Sequence, residues 1–271
     1  TRTVWAGVGA HAVAVIAAFP RIQDAIASGD YQAFIIQAND GNAVVPVIEE
    51  AIAAGITVVG EFTPIGRKLD TIEPQVEGLY FVGWSILDNA TALGELGIMA
   101  CEGKDPCKVA YLEGFRALPL DVVRTEWVKE KLATASNIEL VASVEGGYTQ
   151  DSGLAAAQDV LTAHPDVDVM IGSSQAILGA EQAVKDAGRS GEVALIGNGA
   201  PRQAVAAVKA GRWFAVTAEA EQQAGRKAIE VAVDAARGED VPRAFDTATL
   251  LPTPLGTKDN LPADFDGEWD A

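Results

Sequence analysis

The chain has 271 residues, which is long enough to bury a large core and to form about two lobes. Hydrophobic residues make up 49% of it and charged residues 21%, so the composition excludes a disordered or fibrous protein. The net charge of −18 would repel phosphate backbones and anionic lipid headgroups, and nucleic acid is therefore not an expected partner.

Short runs rich in β-branched residues alternate with longer, Ala-rich segments along the chain. These runs predict strands at Thr3–Ala6, Ala33–Gln37, Ile56–Gly60, Leu79–Gly83, Lys108–Leu112, Ile138–Val144, Asp168–Gly172, Val193–Gly197 and Trp213–Ala218. Because the runs are apolar throughout rather than alternating, they are typical of strands buried on both faces of a parallel sheet. The alternation of strands and helices predicts an α/β fold.

Two further features of the pattern concern helix starts and the C-terminal part of the chain. Asp88-Asn89 precedes a helix that ends at Ala100, and Asn or Asp at such a position accepts a hydrogen bond from a free backbone N–H group. The tail from Asp246 is rich in Pro, Thr and Asp. Its composition predicts a strand near Thr249–Leu251 that returns to the sheet, followed by irregular structure.

The two cysteines, Cys101 and Cys107, are separated by the turn-forming segment Glu-Gly-Lys-Asp-Pro. A turn brings the ends of so short a segment together, so the spacing favours a disulfide and with it an oxidising compartment. The alternative is two unrelated buried thiols. A metal site is not expected, because no further ligands accompany the pair.

Several segments resemble periplasmic sugar-binding proteins of the ribose-binding type. Those that resemble the N-terminal lobe are Arg21–Ile26, Phe34–Asp40 and Ala51–Val59, and those that resemble the C-terminal lobe are Leu161–Asp168, Leu178–Ala180, Ile196–Pro201 and Val208–Arg212. Together they cover nearly all of residues 1–245. Their order and spacing carry the resemblance, since no single motif is decisive.

The resemblance implies the type I periplasmic-binding-protein architecture, with two Rossmann-like lobes of parallel sheets that close on a sugar. We expect an N-terminal lobe of residues 1–85 plus 221–245, without the family's first strand–helix unit, and a C-terminal lobe of residues 86–219 plus 246–271. The implied crossovers lie near Trp84–Asp88, Glu219–Glu221 and Phe245–Asp246. The implied function is that of the solute-binding protein of an ABC importer, which delivers its ligand to the membrane permease. Such a protein is periplasmic or lipid-anchored at the cell surface, and we expect a monomer without a cofactor.

Candidate ligand-binding residues follow from the fold class, because open parallel sheets bind ligands beyond the carboxyl ends of their strands. A polyhydroxylated ligand needs planar donors and acceptors for its hydroxyls and aromatic faces for its C–H surface. The residues that follow predicted strands and carry a side chain of one of these kinds are Glu61, Phe62, Trp84, Arg116, Tyr148, Ser173, Gln175, Asn198 and Glu219.

The resemblance also assigns family positions to individual residues. Asn198 occupies the position where the family usually has an Asp that binds sugar hydroxyls, and Glu219 occupies a position where an amide is common. Ser173 stands at a common Asn and Tyr148 at a stacking aromatic. The family's Asp-Arg pair is replaced by Phe62-Thr63, and its helix-start Arg by Val122 with Arg124 nearby. These departures favour another pentose, a hexose or an acyclic sugar alcohol over ribose.

Several candidates also have a purely structural interpretation. Asn198 precedes Gly-Ala-Pro and could make a turn, and Ser173 could be a helix cap. Arg116 could pair with a surface acid, while Glu219 could cap the following helix.

Catalytic signals are thin: no Gly-x-Ser-x-Gly elbow, Walker loop or His-Glu-x-x-His motif is present, so an enzyme is not expected. The rival interpretation is the effector-binding core of a lac-repressor-type regulator, which shares the fold and needs an upstream helix-turn-helix segment. The cysteine pair and the negative charge favour the exported binding protein.

Overall fold

The computed structural model describes residues 3–6, 12–15 and 19–271, with side chains from Ile22 onward. The chain folds into two compact units. Unit 1 comprises Thr1–Ile86 and Glu221–Leu250, and unit 2 comprises Leu87–Ala220 and Leu251–Ala271. None of the helices in the described part of the chain is long and apolar enough to span a membrane.

Unit 1 is built on a six-stranded sheet in the order β1-β2-β3-β4-β5-β11, with elements numbered along the chain. Its strands are β1 (Thr3–Ala6), β2 (Ala12–Val15), β3 (Ala33–Ile36), β4 (Thr57–Glu61), β5 (Tyr80–Gly83) and β11 (Ala244–Asp246). Its helices are α1 (Phe19–Ser28), α2 (Val45–Ala53) and α8 (Glu221–Ala236). All neighbours in the sheet are parallel except β1 and β2, which are antiparallel.

Unit 2 is built on a second six-stranded sheet in the order β12-β10-β9-β8-β6-β7. Its strands are β6 (Cys107–Glu113), β7 (Ile138–Glu145), β8 (Val169–Ser173), β9 (Ala194–Asn198), β10 (Ala215–Thr217) and β12 (Leu255–Thr257). Its helices are α3 (Ile86–Ala100), α4 (Pro119–Leu132), α5 (Gln150–Ala163), α6 (Ser174–Asp186) and α7 (Arg202–Lys209). Only β12 is antiparallel to its neighbour.

The central strand β8 shows why the inner strands of unit 2 are largely apolar. Met170 packs into one buried cluster, while Val169 and Ile171 pack into another, and all three side chains are 0% exposed. Successive side chains of a strand point to opposite faces of the sheet, so both faces of β8 are covered. Burying such side chains contributes about 1.5–3 kcal/mol each to stability.

The nine predicted strands are present, with ends displaced by at most two residues. The predicted return strand at Thr249–Leu251 is wrong, because Thr247–Leu250 forms a 3-10 helix and the strand comes later, at β12. Asp246 explains the difference. Its Oδ1 accepts a hydrogen bond from the N–H of Ala248 at 2.9 Å, and its carbonyl accepts one from the hydroxyl of Thr249 at 2.6 Å. Such local bonds compete with strand pairing.

The predicted helix cap at Asp88-Asn89 is also wrong, because α3 begins at Ile86 and places both residues in its first turn. The sequence pattern did not predict β2, β11 and β12, which have only three or four residues each. The sequences of β11 and β12, Ala-Phe-Asp and Leu-Gly-Thr, contain no apolar run that marks a strand, and β2 lies within the longer Ala-rich apolar segment 12–19, whose pattern does not separate a strand from a helix.

The predicted disulfide between Cys101 and Cys107 is confirmed, and both residues are 0% exposed. The bond joins the residue after α3 to the first residue of β6. The side-chain amide of Asn137 donates to the carbonyl oxygens of Cys101 and Lys104 at 3.1 and 2.8 Å. The loop between the cysteines is therefore fixed by covalent and hydrogen bonds together.

We expect the double substitution Cys101→Ala, Cys107→Ala to lower the free energy of unfolding of unit 2 by about 2–4 kcal/mol, because it releases a constraint on the unfolded chain. Chemical denaturation followed by tryptophan fluorescence measures the change. Lys104→Ala, in the same loop, is the matched control and should leave the disulfide intact in a thiol assay. A double variant with the midpoint and slope of the parent would contradict the expectation.

Candidate functional site

Polar side chains gather at the carboxyl edge of the sheet in unit 2. The residues at the carboxyl ends of its four central strands are Glu113 (β6), Ser173 (β8), Asn198 (β9) and Thr217 (β10). These strands are parallel, so their carboxyl ends meet at one edge. That edge is where α/β sheets bind ligands.

The first group of side chains at this edge, the amide cluster, consists of Asn89, Asn198, Thr217 and Glu219. The side-chain amide of Asn89 donates to Asn198 Oδ1 and to Glu219 Oε1, both at 3.0 Å. The hydroxyl of Thr217 lies 2.7 Å from Asn198 Oδ1 and 3.2 Å from Glu219 Oε1. Asn198 and Glu219, both predicted from the sequence, thus share their partners and lie side by side.

The second group, the arginine cluster, consists of Asp121, Arg124 and Tyr148. Arg124 Nη1 donates to Asp121 Oδ1 at 3.0 Å and to the Tyr148 hydroxyl at 3.1 Å, and this hydroxyl donates to Asp121 Oδ1 at 2.5 Å. The Arg124 and Asp121 side chains are only 5% and 3% exposed. Tyr148 also meets the ring of Phe115 edge to face, with centroids 5.3 Å apart. The predicted stacking aromatic is therefore held rigidly by its hydroxyl and by its ring.

Electrostatics keep Tyr148 and Arg124 each in one protonation state. Burial raises the pKa of the Tyr148 hydroxyl above its ordinary range, so it stays protonated and remains a donor. Burial alone would lower the pKa of Arg124. The nearby acidic groups, Glu219 among them, overcome that effect and raise it, so the guanidinium stays charged. Glu219 thereby connects the two clusters.

Ser173 holds the loop that carries Tyr148. Its hydroxyl donates to the carbonyl of Gly147 at 2.7 Å and accepts a hydrogen bond from the N–H of Ala176 at 3.1 Å, so it also caps α6. Gly147 has a φ of 64°, a conformation that favours glycine. Gln175 lies partly exposed in the first turn of α6. The contacts of Ser173 thus favour its interpretation as a helix cap, and its ligand contact stays a prediction.

Arg116 faces a different part of the edge. Its Nε donates to Glu113 Oε2 at 2.7 Å while its side chain stays 60% exposed. Burial raises the pKa of Glu113, but hydrogen bonds from Arg116 and Ser143 and the charge of Lys129 hold it below its usual value. Glu113 is therefore ionised and paired with basic side chains.

A cavity of about 330 Å³ lies beside this ion pair, between the β6–α4 loop and α4. Its lining residues are Glu113, Gly114, Phe115, Arg116, Asp121, Val122, Thr125, Glu126 and Lys129. It shares Arg116 with the predicted ligand-binding set but not Tyr148, Asn198 or Glu219. The two clusters contain three of the predicted residues, Asn198, Glu219 and Tyr148, whereas the cavity contains only Arg116 of that set and shares Asp121 with the arginine cluster. The amide and arginine clusters are therefore the better candidate site.

Unit 1 carries the other three predicted residues: Glu61 is the last residue of β4, Phe62 follows it, and Trp84 follows β5. Phe62 has a φ of 63°, a left-handed conformation that is rare for an aromatic residue, and its N–H donates to the carbonyl of Val82 at 3.1 Å. Trp84 is 9% exposed. Burial, and then the charge of Glu221, raise the pKa of Glu61 to about 7. Strained backbone and a perturbed carboxyl are features that functional sites share.

Sequence reasoning missed three members of these clusters: Asn89, Asp121 and Thr217. The sequence pattern places Asn89 in a helix cap, and a cap residue is not expected to contact a ligand. Thr217 ends β10, so the carboxyl-end rule would have selected it had the predicted strand not extended to Ala218. Arg124 was noted only as a neighbour of Val122, since nothing in the sequence indicates that it is buried. No group of three His, Cys, Asp or Glu side chains that could hold a metal ion occurs among the described residues.

Known proteins resemble this chain in sequence and in structure. The family model described as "Periplasmic binding protein domain" matches residues 16–240. A D-ribose/D-allose-binding protein of Pseudomonas aeruginosa is 30% identical over 211 residues, which make up 77% of this chain and 63% of that protein. The chain therefore spans less than two thirds of this relative. A putative rhizopine-binding protein of Rhizobium meliloti is 29% identical over 252 residues, 92% of this chain and 78% of that protein.

A solved structure shares the fold. It is an ABC transporter solute-binding protein from Bacillus halodurans C-125 with bound myo-inositol. The two structures superpose with a TM-score of 0.75 and share 21% sequence identity, and the match covers 89% of this chain and 79% of that one.

We expect Tyr148→Phe to lower the free energy of unfolding of unit 2 by about 1–3 kcal/mol, because a buried ion pair loses a hydrogen-bonding hydroxyl. Urea denaturation measures this loss. Tyr80→Phe is the matched control: its ring stacks on Arg243, with the guanidinium 4.3 Å from the ring centre, and the hydroxyl takes no part in that contact. Equal effects of the two substitutions would show that the arginine cluster does not depend on Tyr148.

The raised pKa of Glu61 predicts a pH dependence of stability. Between pH 4.5, its ordinary pKa, and about 7, the folded chain holds a proton that the unfolded chain has released. Stability should therefore fall as pH rises through this window. Glu61→Gln should remove this dependence on pH from the melting temperature. Glu221→Gln should lower the pKa of Glu61 and so narrow the pH range in which stability falls. A Glu61→Gln profile parallel to that of the parent would refute the assignment.

Proposed function

The chain belongs to the periplasmic binding protein family, and from this premise we propose that it is the solute-binding protein of an ABC importer for a sugar or sugar alcohol. It has no catalytic role in this proposal. It hands the bound ligand to a membrane permease and acts as a monomer.

The observation that carries the proposal is the amide cluster at the carboxyl edge of the unit 2 sheet, the edge to which Ser173 also ties the loop of Tyr148. Adjacent hydroxyls of a sugar or polyol each donate and accept, and they are matched by planar amide and carboxylate groups placed side by side. Asn198 and Glu219 offer such a pair, fixed by the shared donors Asn89 and Thr217. The ring of Tyr148, held by Arg124 and Asp121, supplies an apolar face for the C–H surface of the ligand.

The names of the relatives support the ligand class. One relative is a D-ribose/D-allose-binding protein, another is a putative rhizopine-binding protein, and the structural neighbour holds myo-inositol. We propose a neutral monosaccharide or polyol for this chain, since the charges of Asp121 and Arg124 are already paired with each other.

The disulfide supports an extracytoplasmic location, either periplasmic or anchored to the cell surface by a lipid. Disulfides form and persist in oxidising compartments, and Cys101 and Cys107 are buried in the core of unit 2. This bond also disfavours the effector-binding core of a cytoplasmic regulator, the alternative that the fold leaves open.

A thermal-shift panel of pentoses, hexoses and polyols, with D-ribose, D-allose and myo-inositol among them, tests the proposal. A ligand at about 100 times its Kd stabilises the folded chain by about 2.7 kcal/mol, which gives a measurable rise in melting temperature. Asn198→Ala should reduce that rise by about half or more, with binding still measurable. Asp186→Asn, which alters only an exposed side-chain pair on α6, should retain it.

Two results would count against this function. One is a folded parent chain whose melting temperature none of these compounds raises. The other is a ligand-induced rise of equal size in the parent and in Asn198→Ala, because the ligand would then bind away from the amide cluster.

A further inference from the structure

The segment after β12, residues 258–271, packs against helix α7 and is called the C-terminal segment below. Helix α7 begins after Pro201, which makes no side-chain capping bond. Its first N–H group, that of Arg202, donates instead to the carbonyl of Trp269 at 2.8 Å. Arg202 Nη1 also pairs with Asp270 Oδ2 at 3.0 Å. The start of this helix is therefore completed by the C-terminal segment.

The C-terminal segment is anchored along the whole of α7. Leu261 and Phe265 are each 8% exposed and belong to the same buried cluster as Val205 and Val208 of α7. At the far end of the helix, Lys209 Nζ donates to the carbonyl of Ala263 at 3.0 Å and pairs with Asp266 at 3.0 Å. The segment is thus part of the folded core of unit 2.

Trp269 connects this segment to the amide cluster. It lies against Gly199, where an added Cβ would come within 3.4 Å of Trp269 Cζ2 and where φ is +92°. The N–H of Gly199 donates to Thr217 Oγ1 at 2.7 Å, and this hydroxyl lies 2.7 Å from Asn198 Oδ1. The peptide that follows Asn198 is therefore held between Trp269 on one side and Thr217 on the other.

We propose that Trp269 is a positioning residue for Asn198: it holds the loop from Gly199 to Arg202 in place, and the loop sets the direction of the Asn198 side chain. The proposal rests on the function proposed above only for its ligand-binding consequence. Trp269 Nε1 is buried without a hydrogen-bond partner among the described residues, so the indole acts through its packing. Trp269→Phe, which keeps an aromatic ring there, is therefore the matched control for Trp269→Ala.

The first experiment needs no ligand. Amide hydrogen exchange is measured on the full chain, and Trp269→Ala should speed exchange at Gly199 and Arg202 on the order of tenfold, since their local opening costs less without the indole. Trp269→Phe should stay within about twofold of the parent, and the amides of β8 should be unchanged. Unchanged exchange at Gly199 in Trp269→Ala would overturn the proposal.

The second experiment uses whichever of D-ribose, D-allose and myo-inositol binds the parent most tightly. Trp269→Ala should weaken its affinity on the order of tenfold, and Trp269→Phe should restore it. In an Asn198→Ala background, Trp269→Ala should change affinity by less than about twofold, because the loop no longer carries the side chain that it positions.

Independent, multiplicative losses in that double-mutant cycle would overturn the proposal, because the C-terminal segment would then act by general stabilisation. If none of the three compounds binds the parent, the proposed function fails, while the exchange experiment still decides the role of Trp269.

Discussion

Helices cover both faces of the unit 2 sheet, and this restricts where polar side chains can lie in that unit. The inner strands β8, β9 and β10 are largely apolar on both sides, and a polar group there would lose its hydration without a partner. The carboxyl edge is different, because each strand ends there and the chain turns into a loop or a helix start. Asn198, Thr217 and Ser173 all occupy such positions, and each makes its hydrogen bonds to other residues of this edge.

The arginine cluster is the most constrained part of this edge. A buried guanidinium is tolerated only when it is paired, and removal of one partner of such a pair costs about 3–5 kcal/mol. Arg124 meets that requirement through Asp121 and Tyr148. The same bonds orient the tyrosine ring. Rigidity at a binding site reduces the ordering that a ligand must impose, so in the proposed site the bonds that stability demands would also prepare Tyr148 for binding.

Much of the fold could be predicted from the sequence, because short apolar runs alternate with longer Ala-rich segments along the chain. Strand β8 shows this well: the run Val169–Gly172 is apolar throughout, and the structure buries all five residues of the strand. The resemblance to the ribose-binding type is confirmed by the family match, and the carboxyl-end rule selected Asn198 and Glu219, which the structure brings together. Asn89 could not be found in this way. Its partners lie 109 and 130 residues further along the chain, and a contact so distant leaves no trace in local pattern.

The hydroxyl of Thr217 has one hydrogen, yet two acceptor oxygens lie within its reach, on Asn198 at 2.7 Å and on Glu219 at 3.2 Å. It accepts the N–H of Gly199 in either case. Rotation about a single Cβ–Oγ bond therefore decides which of the two oxygens receives the Thr217 proton. In the proposed binding site, a ligand hydroxyl that donates to Glu219 and one that donates to Asn198 would meet the same heavy atoms, with this proton turned the other way. Under that proposal, stereoisomers that differ at one carbinol centre are accommodated by the rotation of one hydroxyl group, without any movement of the backbone.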